Sequence, residues 1–266
     1  MTMTANNKLP FRLVVFDMAG TTVFDGDAVH HCLAAALKQF EFSFTRDEIN
    51  SVMGIEKPVA IRTLVTSYGL PEETPTTELV ESIHNVFLDK MTTFYKTDAS
   101  VGEVEGAEDM FRLLHDNGIA VALDSGFSRP IIDVVLARLR WKESGLVDAT
   151  VASNEVERGR PFPDMIYRAM TLTGIDDAKA VAKVGDTPSD LQEGASAGCG
   201  LIVGVTSGSH TRDELTLVPH THLIHSVAVQ RNDRGISVTF TRLDRKYAAR
   251  RRRSSGCVHY GCSHPT

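Results

Sequence analysis

The run Leu13-Val14-Val15-Phe16-Asp17-Met18-Ala19-Gly20-Thr21-Thr22-Val23 decides the fold. Four apolar residues leading straight into an aspartate read as a strand buried on both faces, and the Gly-Thr step beyond them turns the chain at the strand's carboxyl end. A carboxylate delivered there faces the crevice in which open α/β sheets bind ligands. Beyond Gly102 the same theme repeats. Helix 106–117 leads to strand 119–123, helix 129–140 to strand 149–152, helix 163–173 to strand 180–184, and helix 189–197 to strand 201–205. Such alternation predicts crossover units and a parallel sheet. The expected fold class is α/β: a Rossmann-like parallel core with a helical cap inserted after the first strand.

The cap is read from residues 26–97, which hold no strand candidate. Val29, Cys32, Leu33, Leu37 and Phe40 have helical spacing, and Thr45-Arg46-Asp47-Glu48 has the form of a capping box opening a second helix. A loop, Met53-Gly54-Ile55-Glu56-Lys57, precedes Pro58 at the start of a third helix, and Leu79 to Phe94 mark a long amphipathic fourth. The domain expectation is a disordered leader at 1–10, a core at 11–25 and 98–228, a cap at 26–97, and a basic, poorly ordered tail at 229–266.

With 266 residues, 42% of them hydrophobic, the chain can bury a proper core. Its net charge of −6 divides into −13 before Val229 and +7 after it, which argues against nucleic acid as a partner of the whole chain. No apolar run has the length of a membrane span, so no membrane partner is expected. Cys32, Cys199, Cys257 and Cys262 form no regular framework, which favours a reducing cytoplasm. The apolar first cap helix is a candidate face for a homodimer.

Three further features sit at strand ends. Ser125-Gly126 offers a hydroxyl and a close turn for a phosphoryl oxygen. Arg160, in Gly159-Arg160-Pro161, offers the cation that an anionic transferring group needs. Asp186 and Asp190, after the strand ending at Val184, form an acidic pair that with Asp17 and the Ala19 carbonyl suits a hard cation such as magnesium. Asp190 is either a ligand or an orienting group. Each feature alone has a bland reading as a helix cap, a common turn or a surface cation. Their joint order at successive strand ends outweighs it.

These motifs resemble those of the haloacid dehalogenase superfamily, whose first aspartate attacks phosphorus. Carried over, the resemblance makes Asp17 the nucleophile, Arg160 a catalytic cation, and Ser125, Gly126, Thr21 and Gly54 substrate contacts; Thr22 adds a hydroxyl or backbone contact. That superfamily usually has a second aspartate two residues on, as general acid and base; here it is Ala19. Asp-x-Ala-Gly-Thr-Thr with Met53-Gly54-x-x-Lys57 resembles the phosphonoacetaldehyde hydrolase branch, in which a cap lysine forms a Schiff base. Lys57, at a helix start, is disfavoured as an ammonium by the dipole. Its bland reading is a solvated lysine or one that merely grips an anion. Departures lie at the aldehyde end: Ala60 for the branch's histidine, Phe127 for its tyrosine, Asp27 for its flap cysteine.

The resulting expectation is a magnesium-dependent hydrolase of a small phosphonate or phosphate. A phosphate monoester phosphatase, as for phosphoglycolate, is the alternative. A metal-free dehalogenase would leave Asp186 and Asp190 without a task, and a silent phosphate-binding protein would make Ala19 the mark of lost chemistry. In the tail, Cys257, His259, Cys262 and His264 match no common zinc spacing, and Arg250 to Arg253 read as a solvated run. The resemblance stops near Ala228, so the end reads as foreign to the fold, as after a reading-frame shift.

Overall fold

The computed structural model describes residues 11–68 and 75–228, with the backbone of two short strands at 230–232 and 235–237. Residues 10–228 form one compact unit. The leader, most of the basic tail and its cysteine–histidine cluster lie outside the described residues. Of the strand expected at Ile236 to Phe240, the hairpin strand Gly235–Ser237, antiparallel to Gln230–Asn232, covers the first part.

The chain opens with β1 (Leu13–Asp17), followed by the short β2 (Val23–Phe24). The helices α1 (Ala28–Lys38), α2 (Arg46–Asn50), α3 (Lys57–Ser67) and α4 (Thr77–Thr97) come next, then β3 (Gly102–Glu103). The remainder alternates: α5 (Ala107–Asp116), β4 (Ala120–Ser125), α6 (Arg129–Leu139), β5 (Ala149–Ala152), α7 (Asp164–Thr173), β6 (Val181–Gly185), α8 (Pro188–Ala197), β7 (Leu201–Val205), α9 (Arg212–Thr216) and β8 (His222–Ile224). Six strands make one parallel sheet in the order β5-β4-β1-β6-β7-β8. The α/β expectation with an inserted helical cap therefore holds.

β1 lies inside the sheet because every one of its residues can be buried: Leu13 to Phe16 pair with Ala120 to Leu123 on one side and with Val181 to Val184 on the other. Phe16 extends this core outward, edge-on to Phe111 with centroids 5.4 Å apart; Phe111 in turn meets Trp141 at 5.3 Å. Trp141 is fully buried, and its indole N–H donates to Glu108 Oε1 at 2.9 Å, so its polar atom is satisfied. In the cap, Leu33 and Leu37 of α1 and Ile61 and Leu64 of α3 are buried where these helices pack on α4, itself buried through Ile83, Phe87 and Met91. α4 also packs on α6, which ties the cap to the core. The expected capping box at Thr45 forms, with Thr45 N–H donating to Glu48 Oε2 at 2.7 Å.

Two features were absent from the sequence reading. β2 and β3 form a two-residue antiparallel ribbon where the chain leaves and re-enters the core, at a place read as a loop. β8 extends the sheet by a sixth strand beyond β7. Both are too short to carry a hydrophobic period.

Phe111→Ala removes the ring joining Phe16 to Trp141. It is expected to cost about 3–5 kcal/mol, read as a lower urea midpoint in the fluorescence of Trp141, the chain's one tryptophan.

Candidate active site

The parallel register brings the strand ends together. Asp17 closes β1 level with Asp124 on β4, Ser125 follows Asp124, and Asp186 follows the last residue of the neighbouring β6. Arg160 reaches in from the loop between β5 and α7. Above them lies a cavity of about 800 Å³. Asp17, Ala19, Gly54, Lys57, Ser125, Gly126, Arg160 and Asp186 all line it, so eight of the eleven site residues named from sequence meet in one space.

Three do not line it. Thr21 is fully buried and its hydroxyl donates to Asp186 Oδ1 at 3.1 Å, which steadies that carboxylate. Thr22 similarly donates to the Asp17 carbonyl at 2.8 Å, closing the turn after β1. Asp190 is fully buried, with Oδ2 accepting the Thr187 N–H at 3.2 Å in the capping box of α8, and Oδ1 ion-paired to Arg160 at 3.0 Å and Lys183 at 3.2 Å. These contacts favour the orienting role for Asp190 over the ligand role.

Asp17 is held by Arg160, whose Nη1 donates to its Oδ1 at 2.7 Å. The same guanidinium donates through Nε to Glu193 Oε2 at 3.0 Å and through Nη2 to Asp124. Lys183, on β6, pairs with Asp124, with Asp190 and with Glu193 at 3.0 Å. Two buried cations thus share four carboxylates beneath the cavity. Burial, with Asp124 nearby, pushes Glu193 up to about 8. Although burial opposes it, the two cations keep Asp124 below the usual carboxylate range. The sequence reading missed Asp124, Lys183 and Glu193. The signal was available: a lysine at the middle of a wholly buried five-residue strand must have an acidic partner.

Asp17 and Asp186 stand above their ordinary values. Burial is the main cause for both, and the Asp190 carboxylate adds to it. Asp186 Oδ2 accepts the backbone N–H of Ser209 at 2.7 Å and its hydroxyl at 2.8 Å. One carboxylate oxygen each from Asp17, Asp186 and Asp190 lie within 4.8 Å of one another. An all-oxygen donor set of mutually repelling, desolvated carboxylates fits a hard divalent cation, whose charge relieves the repulsion.

The cap completes the site. Gly54 adopts φ +81°, and any side chain there would collide with the Thr187 and Ser189 hydroxyls. Gly126 faces the same loop from below: a Cβ on it would sit 2.8 Å from the carbonyl oxygens of Gly54 and Ile55. The lysine loop is seated on the core by these two glycines. Lys57, the first residue of α3, is 3% exposed; its ammonium donates to the Ile55 carbonyl at 3.2 Å and lies 5.9 Å from the centre of the Phe127 ring. Burial lowers it to about 8, with Asp17 opposing and Arg160 assisting. The solvated-lysine reading falls on this burial. Ser125 accepts the Phe127 N–H at 3.2 Å and turns its hydroxyl to the cavity.

A parallel α/β core that gathers an aspartate, a hydroxyl, a cation and an acidic pair about its strand ends suits a hydrolase. The model of the haloacid dehalogenase-like hydrolases matches residues 14–203, and this chain belongs to that family. It is 33% identical over 234 residues to the phosphonoacetaldehyde hydrolase of Syntrophobacter fumaroxidans, covering 83% of this chain and 82% of that one. To the phosphonoacetaldehyde hydrolase of Pseudomonas fluorescens it is 29% identical over 215 residues, 78% of this chain and 77% of the relative. Among solved structures, the phosphonoacetaldehyde hydrolase-like protein from Oleispira antarctica matches with a TM-score of 0.75 and 23% identity, over 94% of this chain and 99% of that one. CbbY from Rhodobacter sphaeroides, solved with phosphate, matches at 0.66 and 14% over 81% and 94%. These two structural likenesses speak for the fold.

Gly126→Ala forces the Gly54–Ile55 carbonyls away and lifts the lysine loop. An ångström of such displacement costs about 10²-fold in kcat/KM, and the variant should show this with an unchanged Trp141 fluorescence spectrum.

Proposed function

We propose that this chain is a magnesium-dependent hydrolase of a small phosphonate carrying an aldehyde, cleaving its carbon–phosphorus bond with Asp17 as nucleophile and Lys57 as Schiff-base amine. The observation that carries this reading is Lys57: a buried amine lowered to about 8 in the same cavity as Asp17. An unprotonated amine is the form that adds to a carbonyl, and an ordinary lysine at neutral pH offers little of it. The identity to phosphonoacetaldehyde hydrolases supports it as well.

In this scheme the Lys57 nitrogen condenses with the aldehyde, making an electron sink two atoms from phosphorus. Asp17 attacks phosphorus, its Oδ1 oriented by Arg160, while the carbon departs as an enamine on Lys57. Ser125 and the Gly126 backbone hold phosphoryl oxygens, and water then hydrolyses the aspartyl-phosphate. Magnesium, when bound by Asp17, Asp186 and the Ala19 carbonyl, neutralises charge on the phosphoryl group. Thr21 and Ser209 keep Asp186 aimed for that task.

Phosphate monoester hydrolysis is the second reading, and Ala19 bears on it directly: an ester needs a proton donor that this position does not supply. The remaining partner expectations concern the whole molecule. Among the described residues, no helix is long and apolar enough to cross a membrane. The apolar side of α1 is covered by α4 within the chain, so pairing with a second copy would rest on His31, Cys32, Ala34 and Ala35.

Borohydride added with phosphonoacetaldehyde should fix a covalent adduct on Lys57, detected by peptide mass; equal labelling of Lys57→Ala would sink the Schiff-base step. For the native chain, kcat/KM toward the aldehyde should rise with pH and level off above about 8, because the lowered lysine loses its proton there. A plateau only near pH 10 would contradict the role given to burial. Asp17→Asn, or chelation of divalent metal, should abolish phosphate release, and magnesium should restore it only to the native chain.

A further inference from the structure

The cavity contains a carboxyl that the scheme above leaves unused. Asp25 follows directly on β2, on the ribbon where the chain passes from core to cap, and lines the same cavity as Asp17, Ala19 and Lys57. It is 6% exposed, yet it belongs neither to the cation network beneath the site nor to any ion pair among the described residues. One oxygen is fixed: the fully buried Tyr95, from α4, donates its hydroxyl to Asp25 Oδ2 at 2.8 Å. Tyr95 is itself braced edge-on by Phe127 at 6.0 Å, the same ring that lies against Lys57. The Asp27 N–H also donates to the Asp25 carboxylate.

We propose that Asp25 is the proton-transfer carboxyl of this site, doing for a leaving alcohol what Ala19 cannot, so that the cavity also hydrolyses small phosphate monoesters. The inference rests on the reading of Asp17 as nucleophile. As the Asp17–phosphorus bond forms and the phosphorus–oxygen bond to the alcohol breaks, the alcohol oxygen takes the proton of the Asp25 carboxylic acid. The resulting carboxylate then accepts a proton from the water that attacks the aspartyl-phosphate. Phosphate and free Asp17 are released, Asp25 is again an acid, and no further reagent is consumed. Geometry fits the task, since Tyr95 anchors the carboxyl through Oδ2 at the wall of the cavity that Asp17 also lines. Electrostatics agree: burial raises Asp25 above its ordinary value, and Asp186 and Asp27 add to this while the Tyr95 and Asp27 hydrogen bonds oppose it. Cys32, from α1, is the other titratable group that feels this carboxylate.

The test compares two esters in magnesium, glycerol 2-phosphate and 4-nitrophenyl phosphate, the second of which leaves as a stable anion and needs no proton. Asp25→Asn keeps an oxygen for the Tyr95 hydroxyl. It should lower kcat on the glycerol ester about 10²-fold or more while changing the nitrophenyl ester by less than about threefold. Asp25→Glu should restore part of the lost rate on the glycerol ester only. An equal fall on both esters, no fall on either, or no turnover of the glycerol ester by the native chain would overturn the proposal. Asp17→Asn, run beside it, should be silent on both esters. Turnover surviving there would overturn the reading of Asp17 itself, a failure separable from that of Asp25.

Discussion

The ion-pair network under the cavity is the constraint on which the rest of the site depends. Arg160 and Lys183 are fully buried, and a buried charge is tolerated only where partners replace the water it loses. Asp124, Asp190 and Glu193 supply those partners from β4 and α8, and Asp17 supplies the last one. The network therefore holds the Asp17 carboxylate in place through Arg160. It also couples fold to function: β1, β4, β6, α8 and the Arg160 loop must all be in place before Asp17 is. Removing one member of such a buried set leaves an uncompensated charge, typically at a cost of about 3–5 kcal/mol.

Charge balance also explains the division of labour among the acidic groups. Asp124 lies closest to both cations and remains ionised, while Glu193, at the edge of the same set, is pushed toward its neutral form. Two cations are then met mainly by Asp124 and Asp190. Asp17 and Asp186 are left on the cavity side with a surplus of negative charge that burial makes costly. A divalent cation or an anion-bearing substrate that brings one is the remaining source of compensation. Asp190, committed to the cations and to the cap of α8, orients this arrangement from below.

Much of this was legible in the sequence, for a physical reason. Strands of a parallel sheet buried on both faces appear as continuous apolar runs, so the residue ending each run is marked as lying at the ligand-binding edge. Asp17, Ser125 and Asp186 were found that way, and Arg160 by its place in the same order. The exceptions break the same rule. Lys183 sits inside its run, where a charged residue reads as an interruption until its partner across the sheet is known, whereas Asp124 ends its run as Asp17 does and was passed over for the hydroxyl that follows it. Glu193 looks like any acidic residue of a helix. Asp25 and Tyr95 are 70 positions apart, and only the return of α4 over the core brings them together. The β2–β3 ribbon, two residues long on each side, has no period to detect.

The cap loop shows how the two halves of the chemistry are kept in register. Gly54 and Gly126 let backbone meet backbone where side chains would otherwise stand, so the first turn of α3 is lowered onto the end of β4. That descent buries Lys57, and burial depresses its basicity. The same contact sets the lysine in the cavity that Asp17 lines. A cap lifted from Gly126 would return water to Lys57, restore its ordinary basicity and remove it from Asp17 together. The basicity of Lys57 and the seating of its loop are therefore coupled in this fold: the contact at Gly126 that seats the loop goes with the burial that lowers the ammonium.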